Sequence, residues 1–302
     1  MVCIFHVKKY IWKEECPDFF TTIFQQGYLG VYIFFVVSGF VIPYSMYVKQ
    51  YTLNKFFRFI AKRTVRIEPP YVLFIIVMFI WTYGIYQWKG WGKPYLYDVK
   101  EFLFNITYLA PFFHVKWISR IFWTLAIEFQ FYILTGLLYH LLMKNRILRY
   151  IIFVSLLGLG FIIPKEYLTV FNLYVYFIVG FQAFLFQIRK INVREYLISI
   201  FLLMVFIGIF EIIIVIPFVL FTIAAIRFLN YKTRITDFLG NISYSLYLSH
   251  GIAGGAVVLF TIGEFNTAIR FLMAIATSLL IAWIYYYLVE RIFLKLSKKI
   301  RY

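Results

Sequence analysis

The chain has 302 residues, 63% of them hydrophobic and 14% charged, with a mean hydropathy of +0.83 and a formal net charge of +17. A soluble globular domain carries roughly 25% charged residues, so this composition excludes one and points to a polytopic membrane protein. In so apolar a chain the excess of Lys and Arg is read as basic loops at a cytoplasmic membrane surface, with membrane lipids as neighbours and no nucleic-acid partner. Cys3 and Cys16 make no disulfide framework.

In chain order, "MVCIFH" (residues 1–6) reads as the last turns of a helix whose first half is missing. It lacks the charged and apolar regions of a cleavable signal peptide. A membrane helix needs about 20 apolar residues, which places complete spans near 28–48, 70–88, 121–143, 149–163, 170–188, 196–210, 212–228, 242–262 and 271–290. The apolar run from 196 to 228 is divided only by Glu211 and is read as two helices with a tight turn. The expected fold is therefore all-α: a single-domain transmembrane bundle over residues 1–302, with about nine complete spans and the tail of an N-terminally truncated first span. That first span would begin ahead of Met1.

The basic residues orient this layout. If the loop after residue 48 is inside, so are the segments 49–66, 144–149, 189–194, 227–234 and 291–301. Together these hold two thirds of the thirty Lys and Arg residues. The C-terminus is then cytoplasmic, and His6 lies where the first helix reaches the outer surface.

Ionisable residues inside a span are costly and are functional candidates. An imidazole, with an ordinary pKa of about 6.5, takes a proton from a hydroxyl at neutral pH. Position alone does not distinguish His6 from an ordinary interfacial histidine. Glu128, in "FWTLAIEFQFYIL", lies deep in a span beside Trp123 and Gln130, either as a structural carboxylate or as a functional one. His250 ends "SYSLYLSH", after Ser243, Tyr244, Ser245, Tyr247 and Ser249. A polar helix–helix seam accounts for most of those hydroxyls.

The basic run "NKFFRFIAKRTVRIEPPY" spans residues 54–71. Arg63 and Arg66 are three apart and share a helical face, with Arg58 about one turn further back. Pro69 and Pro70 are read as the start of the next membrane helix. Guanidiniums bind phosphate bidentately. The positive-inside rule accounts for most of the charge but not for the Arg-x-x-Arg spacing. The sequence shows no metal-ligand cluster, and no metal is expected. The triplets beginning at Asn105 and Asn241 are read as unglycosylated.

Five segments in order carry a family resemblance. "GYLGVYIFFVVSGFVI" is similar to Gly-Val-x-x-Phe-Phe-Val-x-Ser-Gly-Phe, and "FRFIAKRTVRIEPPY" to Arg-x-x-Arg-Ile-x-Pro-x-Tyr. "FWTLAIEFQFYIL" is similar to Trp-x-Leu-x-x-Glu-x-x-Phe-Tyr, "LGNISYSLYLSHGI" to Gly-x-x-Ser-Tyr-x-x-Tyr-Leu-x-His, and "YLVERI" to Val-Glu-Arg-Pro. The chain thus resembles the membrane acyltransferase-3 family of glycan O-acetyltransferases over nearly its whole length. Tyr32 stands where the family often has an acidic residue, and Ile292 where it has proline.

The resemblance implies an acyl-coenzyme A donor, acetyl-CoA in the first instance, used as a substrate with no permanently bound cofactor. It implies a hydroxyl of a cell-surface glycan or glycolipid as acceptor and a bacterial inner membrane as the site. It makes His6 the catalytic candidate, acting as a base or as an acyl carrier, with Glu128 assisting. Arg58, Arg63 and Arg66 would hold the CoA phosphates, and Trp123, Tyr244 and His250 would bind the acceptor. In the same reading, the glycines and serine of residues 27–46 allow close helix packing around a substrate passage. Two further readings stay open from sequence. One is a transporter or lipid-handling protein that uses the intramembrane His and Glu as a proton relay. The other is an inactive, truncated copy.

Overall fold

The structure, a computed structural model, describes residues 1–11, 24–90, 99–229, 232–261 and 264–302. Cys16 lies outside the described residues. Twelve α-helices carry the described chain: α1 (Val2–Ile11), α2 (Gly30–Val48), α3 (Phe56–Lys89), α4 (Val99–Ile106), α5 (Trp123–Lys144), α6 (Arg146–Ile162), α7 (Tyr174–Gln187), α8 (Val193–Phe210), α9 (Ile216–Phe228), α10 (Arg234–Thr261), α11 (Thr267–Tyr285) and α12 (Arg291–Lys299). No strand occurs among the described residues, in line with the expected all-α class. A π-helical turn, Tyr286–Glu290, joins α11 to α12.

Among the described residues, seven helical segments are long and apolar enough to cross a bilayer: Gln26–Val48, Leu53–Lys89, Trp123–Lys144, Val170–Gln187, Val193–Phe210, Arg234–Thr261 and Thr267–Lys299. The other two expected spans correspond to α6, with 17 residues, and to the shorter apolar helix Ile213–Phe228. The run from 196 to 228 does break at Glu211, which ends α8. Three helices start on an asparagine whose side-chain oxygen accepts from the first-turn amides: Asn145 for α6, Asn192 for α8 and Asn266 for α11. Such caps satisfy amides that the helix itself leaves open.

Two sequence-based boundaries move. The helix containing His6 does not end there but continues to Ile11, because Val7 and Ile11 find an apolar cluster with Val257 and Ala274. Pro69 and Pro70 do not start a helix; they lie inside the continuous α3. Proline removes an amide donor and normally breaks the ladder. In apolar surroundings, neighbouring side chains can take up the exposed carbonyls. The carbonyls that lose their amide partners here are those of Val65 and Arg66. Next to them the backbone is braced from two other helices, the Tyr244 hydroxyl donating to the Ile67 carbonyl at 2.9 Å and the Tyr285 hydroxyl to that of Pro70 at 2.5 Å.

The chain divides into two compact units. The first comprises Met1–Gly30, Lys62–Ile106 and Lys232–Ile300. In it α1 packs on the α10–α11 pair, with Cys3, Val258 and Phe271 closing around the cluster of Val7 and Ile11. Gly27 lets α1 lie close: a Cβ there would sit 2.7 Å from both the Met1 carbonyl oxygen and Phe5 Cβ. Asn105 is fully buried, with its amide donating to the Glu101 carbonyl. That leaves no room for a glycan.

The second unit comprises Val31–Ala61, Thr107–Tyr231 and Arg301–Tyr302. Its centre is α7, buried without interruption from Tyr174 to Leu185. Phe177 stacks on Phe131 with ring centroids 4.0 Å apart and meets Phe35 at 4.9 Å. The α2–α7 crossing rests on two glycines. A Cβ on Gly39 would lie 2.2 Å from the Phe177 carbonyl oxygen, and one on Gly180 would lie 2.0 Å from that of Val36. The close packing expected of Gly39 is thus present, and Gly180 is its counterpart. At the α6–α8 end, Glu195 takes Arg146 at 3.2 Å, Arg149 at 3.8 Å and the Tyr150 hydroxyl at 2.9 Å.

Gly180→Val is expected to overpack this crossing by about 1–3 kcal/mol, read as a lower thermal midpoint of the detergent-solubilised protein. At the Glu195 cluster the two arginines should behave differently. The Arg146 side chain is 66% exposed and that of Arg149 is 2% exposed. Arg146→Ala should change stability by under about 1 kcal/mol. Glu195→Ala, which strands the buried Arg149, should cost about 3 kcal/mol, and the two variants are compared in the same melting experiment.

Candidate active site

Seven residues of the site fall in the first unit: His6, Arg63, Arg66, Tyr244, Ser245, His250 and Glu290. His6 projects from α1 and His250 from α10, and their rings meet with centroids 5.1 Å apart and planes inclined at 46°. Phe5 bounds the His6 ring from another side, edge-on at 5.1 Å. His6 is partly exposed, whereas His250 is 1% exposed. The Nδ1 of His250 lies 3.0 Å from the Leu246 carbonyl oxygen one turn earlier. A carbonyl only accepts, so Nδ1 carries the hydrogen of that bond.

Tyr244 and Ser245 are on the same helix, six and five residues before His250. At 1.5 Å per residue they lie roughly 9 Å and roughly 7.5 Å along the axis from it. Tyr244 holds the α3 backbone at Ile67, next to Arg66. Ser245 gives both its amide (3.1 Å) and its hydroxyl (2.5 Å) to Oε2 of Glu290, which is 4% exposed at the end of the π turn. Arg66 lies within electrostatic reach of that carboxylate. The sequence motif "YLVERI" flags Glu290, but sequence reasoning assigned it no role. Its signal was an acidic residue inside an apolar segment. The polar seam expected along "SYSLYLSH" is thus realised at Tyr244 and Ser245.

The two arginines of the Arg-x-x-Arg segment differ in surroundings: Arg63 is 7% exposed and Arg66 is exposed. A three-residue step on a helix turns about 300°, enough to separate an inward from an outward position. Arg58 is exposed and belongs to the second unit.

Glu128 and Trp123 also belong to the second unit. Oε1 of Glu128 accepts from the Ser38 hydroxyl at 3.2 Å and from the Tyr132 hydroxyl. The carboxylate, 7% exposed, therefore ties the serine of the "VVSGF" segment to α5. Trp123 starts α5 with its ring edge-on to Phe35 at 6.3 Å. The same unit contains a cleft of about 420 Å³ lined by Phe161, Lys165, Phe171, Phe206, Phe210 and Glu211, among others. Burial raises the Glu211 carboxyl above the ordinary range, opposed by the Lys165 charge. Among the described residues no three of His, Cys, Asp and Glu come together as around a metal ion.

Comparison with known proteins bears on this arrangement. A family model described as an acyltransferase domain matches residues 1–287. Relatives include the proteins named O-acetyltransferase OatA from Staphylococcus aureus strains NCTC 8325 / PS 47, COL and MRSA252. Each is 30% identical over 165 residues, which is 50% of this chain and 27% of the relative. The match therefore spans about a quarter of those longer proteins. No solved structure matches the chain. A match over nearly the whole chain, with the five motifs in order and the helical architecture above, means that this protein belongs to the membrane acyltransferase-3 family.

Proposed function

We propose that the protein transfers an acyl group, acetyl in the first instance, from acyl-coenzyme A across a bacterial inner membrane to a hydroxyl of a cell-surface glycan or glycolipid. The observation that carries this reading is the partly exposed His6 ring set against a second imidazole, in the same unit as Arg63 and Arg66. It is supported by membership of the acyltransferase family and by the O-acetyltransferase name of the relatives.

In this mechanism Arg66, exposed on α3, and Arg63 three residues before it bind the CoA phosphates through charge-assisted hydrogen bonds. The axial step of roughly 9 Å from Tyr244 to His250 is within the reach of an extended pantetheine arm. That arm delivers the thioester to His6. His6 takes the proton of the acceptor hydroxyl as that oxygen attacks the thioester carbonyl. The new C–O bond forms, the C–S bond breaks, and the CoA thiolate recovers the proton from the imidazolium. A thioester is already activated, so these residues need only position it and move one proton. Tyr244 is assigned to the acceptor, and, within the second unit, Glu128 to holding Ser38 and Tyr132 in place.

The test uses a strain lacking its own copy of the gene, with variants matched for membrane level, and reads alkali-labile acetate on the surface glycan. The chain should restore acetate. His6→Ala should lower the initial rate by about 100-fold or more; an unchanged rate would remove His6 from catalysis. In membranes supplied with acetyl-CoA, Arg66→Ala should raise the apparent KM for the donor about tenfold, and Arg66→Lys by less. Substrate flux without any acylated product would instead identify a transporter.

A further inference from the structure

His250 is the one imidazole of the pair that no acceptor can reach, since only 1% of it is exposed. Its Nδ1–H is committed to the Leu246 carbonyl, so in the neutral ring the remaining nitrogen, Nε2, is a lone-pair acceptor. That nitrogen is buried and has no hydrogen-bond partner among the described residues. A buried acceptor left open is destabilising by about 1–3 kcal/mol, a cost that a bond from a neighbouring N–H would remove.

The only other imidazole in contact is His6, and the spacing is informative. Two imidazoles joined by an N–H···N bond have centroids roughly 5 Å apart: about 2.9 Å between nitrogens plus a ring radius at each end. The observed separation is 5.1 Å. Turning the His6 ring about its Cβ–Cγ bond, a soft sp³–sp² torsion, directs one of its nitrogens toward His250.

We infer that His250 is a positioning residue for His6: its Nε2 accepts the N–H of the His6 ring, which fixes the His6 tautomer and turns the other nitrogen, with its lone pair, toward the acceptor hydroxyl. This rests on His6 acting as the base. When His6 takes the hydroxyl proton, the resulting imidazolium keeps its N–H···Nε2 bond to His250, which stabilises the charge without itself taking a proton. The proton then leaves with the CoA thiolate, and His250 ends the cycle as it began. The arrangement has the logic of a base oriented by a third group, with a neutral imidazole in place of a carboxylate. It moves His250 from the expected acceptor-binding role to a place behind the base.

Three variants test this in membranes of the deletion strain supplied with acetyl-CoA, together with thermal melting of each purified full-length chain. His250→Leu fills the space but has no acceptor; His250→Gln returns an amide oxygen near the position of Nε2. His250→Leu should lower the saturated rate by about 100-fold with the KM for acetyl-CoA unchanged. Its melting midpoint should stay close to that of the unaltered chain, because leucine fills the space and the partly exposed His6 can turn its N–H to water. His250→Gln should recover the rate to within about tenfold of the unaltered chain. The inference is overturned if His250→Leu keeps its rate, if Leu and Gln are equally impaired, if the loss lies in KM, or if the rate falls in step with melting temperature. His6→Ala separates the two levels. Activity retained by His6→Ala removes the base itself, whereas an inactive His6→Ala beside a fully active His250→Leu removes only the positioning role.

Discussion

A bilayer core offers no water to a buried polar group, so every amide, hydroxyl and carboxylate placed there must find its partner within the protein. Much of the described structure follows from that constraint. Glu128 is kept at depth by hydroxyls from two helices, and Glu290 by the amide and hydroxyl of one serine. Tyrosines from α10 and α11 brace the backbone of α3 at its proline pair by donating to the Ile67 and Pro70 carbonyls. Each satisfied group also fixes which helix faces which. The polar residues that look like liabilities in the sequence therefore define the helix pairings.

Between helices that share apolar surroundings, burying hydrocarbon supplies little drive for association, and close packing takes its place. The chain uses two devices. Where backbones cross, glycines remove the side chain, as Gly39 and Gly180 do at the α2–α7 crossing. Where they do not, aromatic rings fill the gap, with the Phe131–Phe177 stack at the centre of the second unit. The high aromatic content reflects this second device as well as surfaces facing lipid.

The same constraint gives the histidine pair its meaning. Buried polar atoms that support the fold have partners: Ser245 with Glu290, Asn105 with Glu101. Nε2 of His250 is buried without such a partner and lies beside a partly exposed imidazole. Fold and chemistry are separated on a single helix, since α10 supports the backbone of α3 through Tyr244 and presents His250 to His6 two turns later.

Much was legible in the sequence alone. Hydropathy and composition determined the all-α class, the helix break at Glu211 and the membrane setting, because they report how each short segment interacts with its immediate solvent. Ordered motifs over the whole chain determined the family. Local signals failed where the deciding partner is distant in sequence. Pro69 and Pro70 looked like a helix start, because nothing nearby announces Tyr244 and Tyr285. His6 looked like a helix end, because the apolar pocket that extends α1 to Ile11 comes from α10 and α11. The spacing of Arg63 and Arg66 put them on one face, but their different burial depends on what packs against α3. Only tertiary structure could place His250 against His6, Ser38 on Glu128 and Glu290 on Ser245. Such contacts join residues up to hundreds of positions apart, and the geometry of packed helices decides them, not the propensity of any one segment.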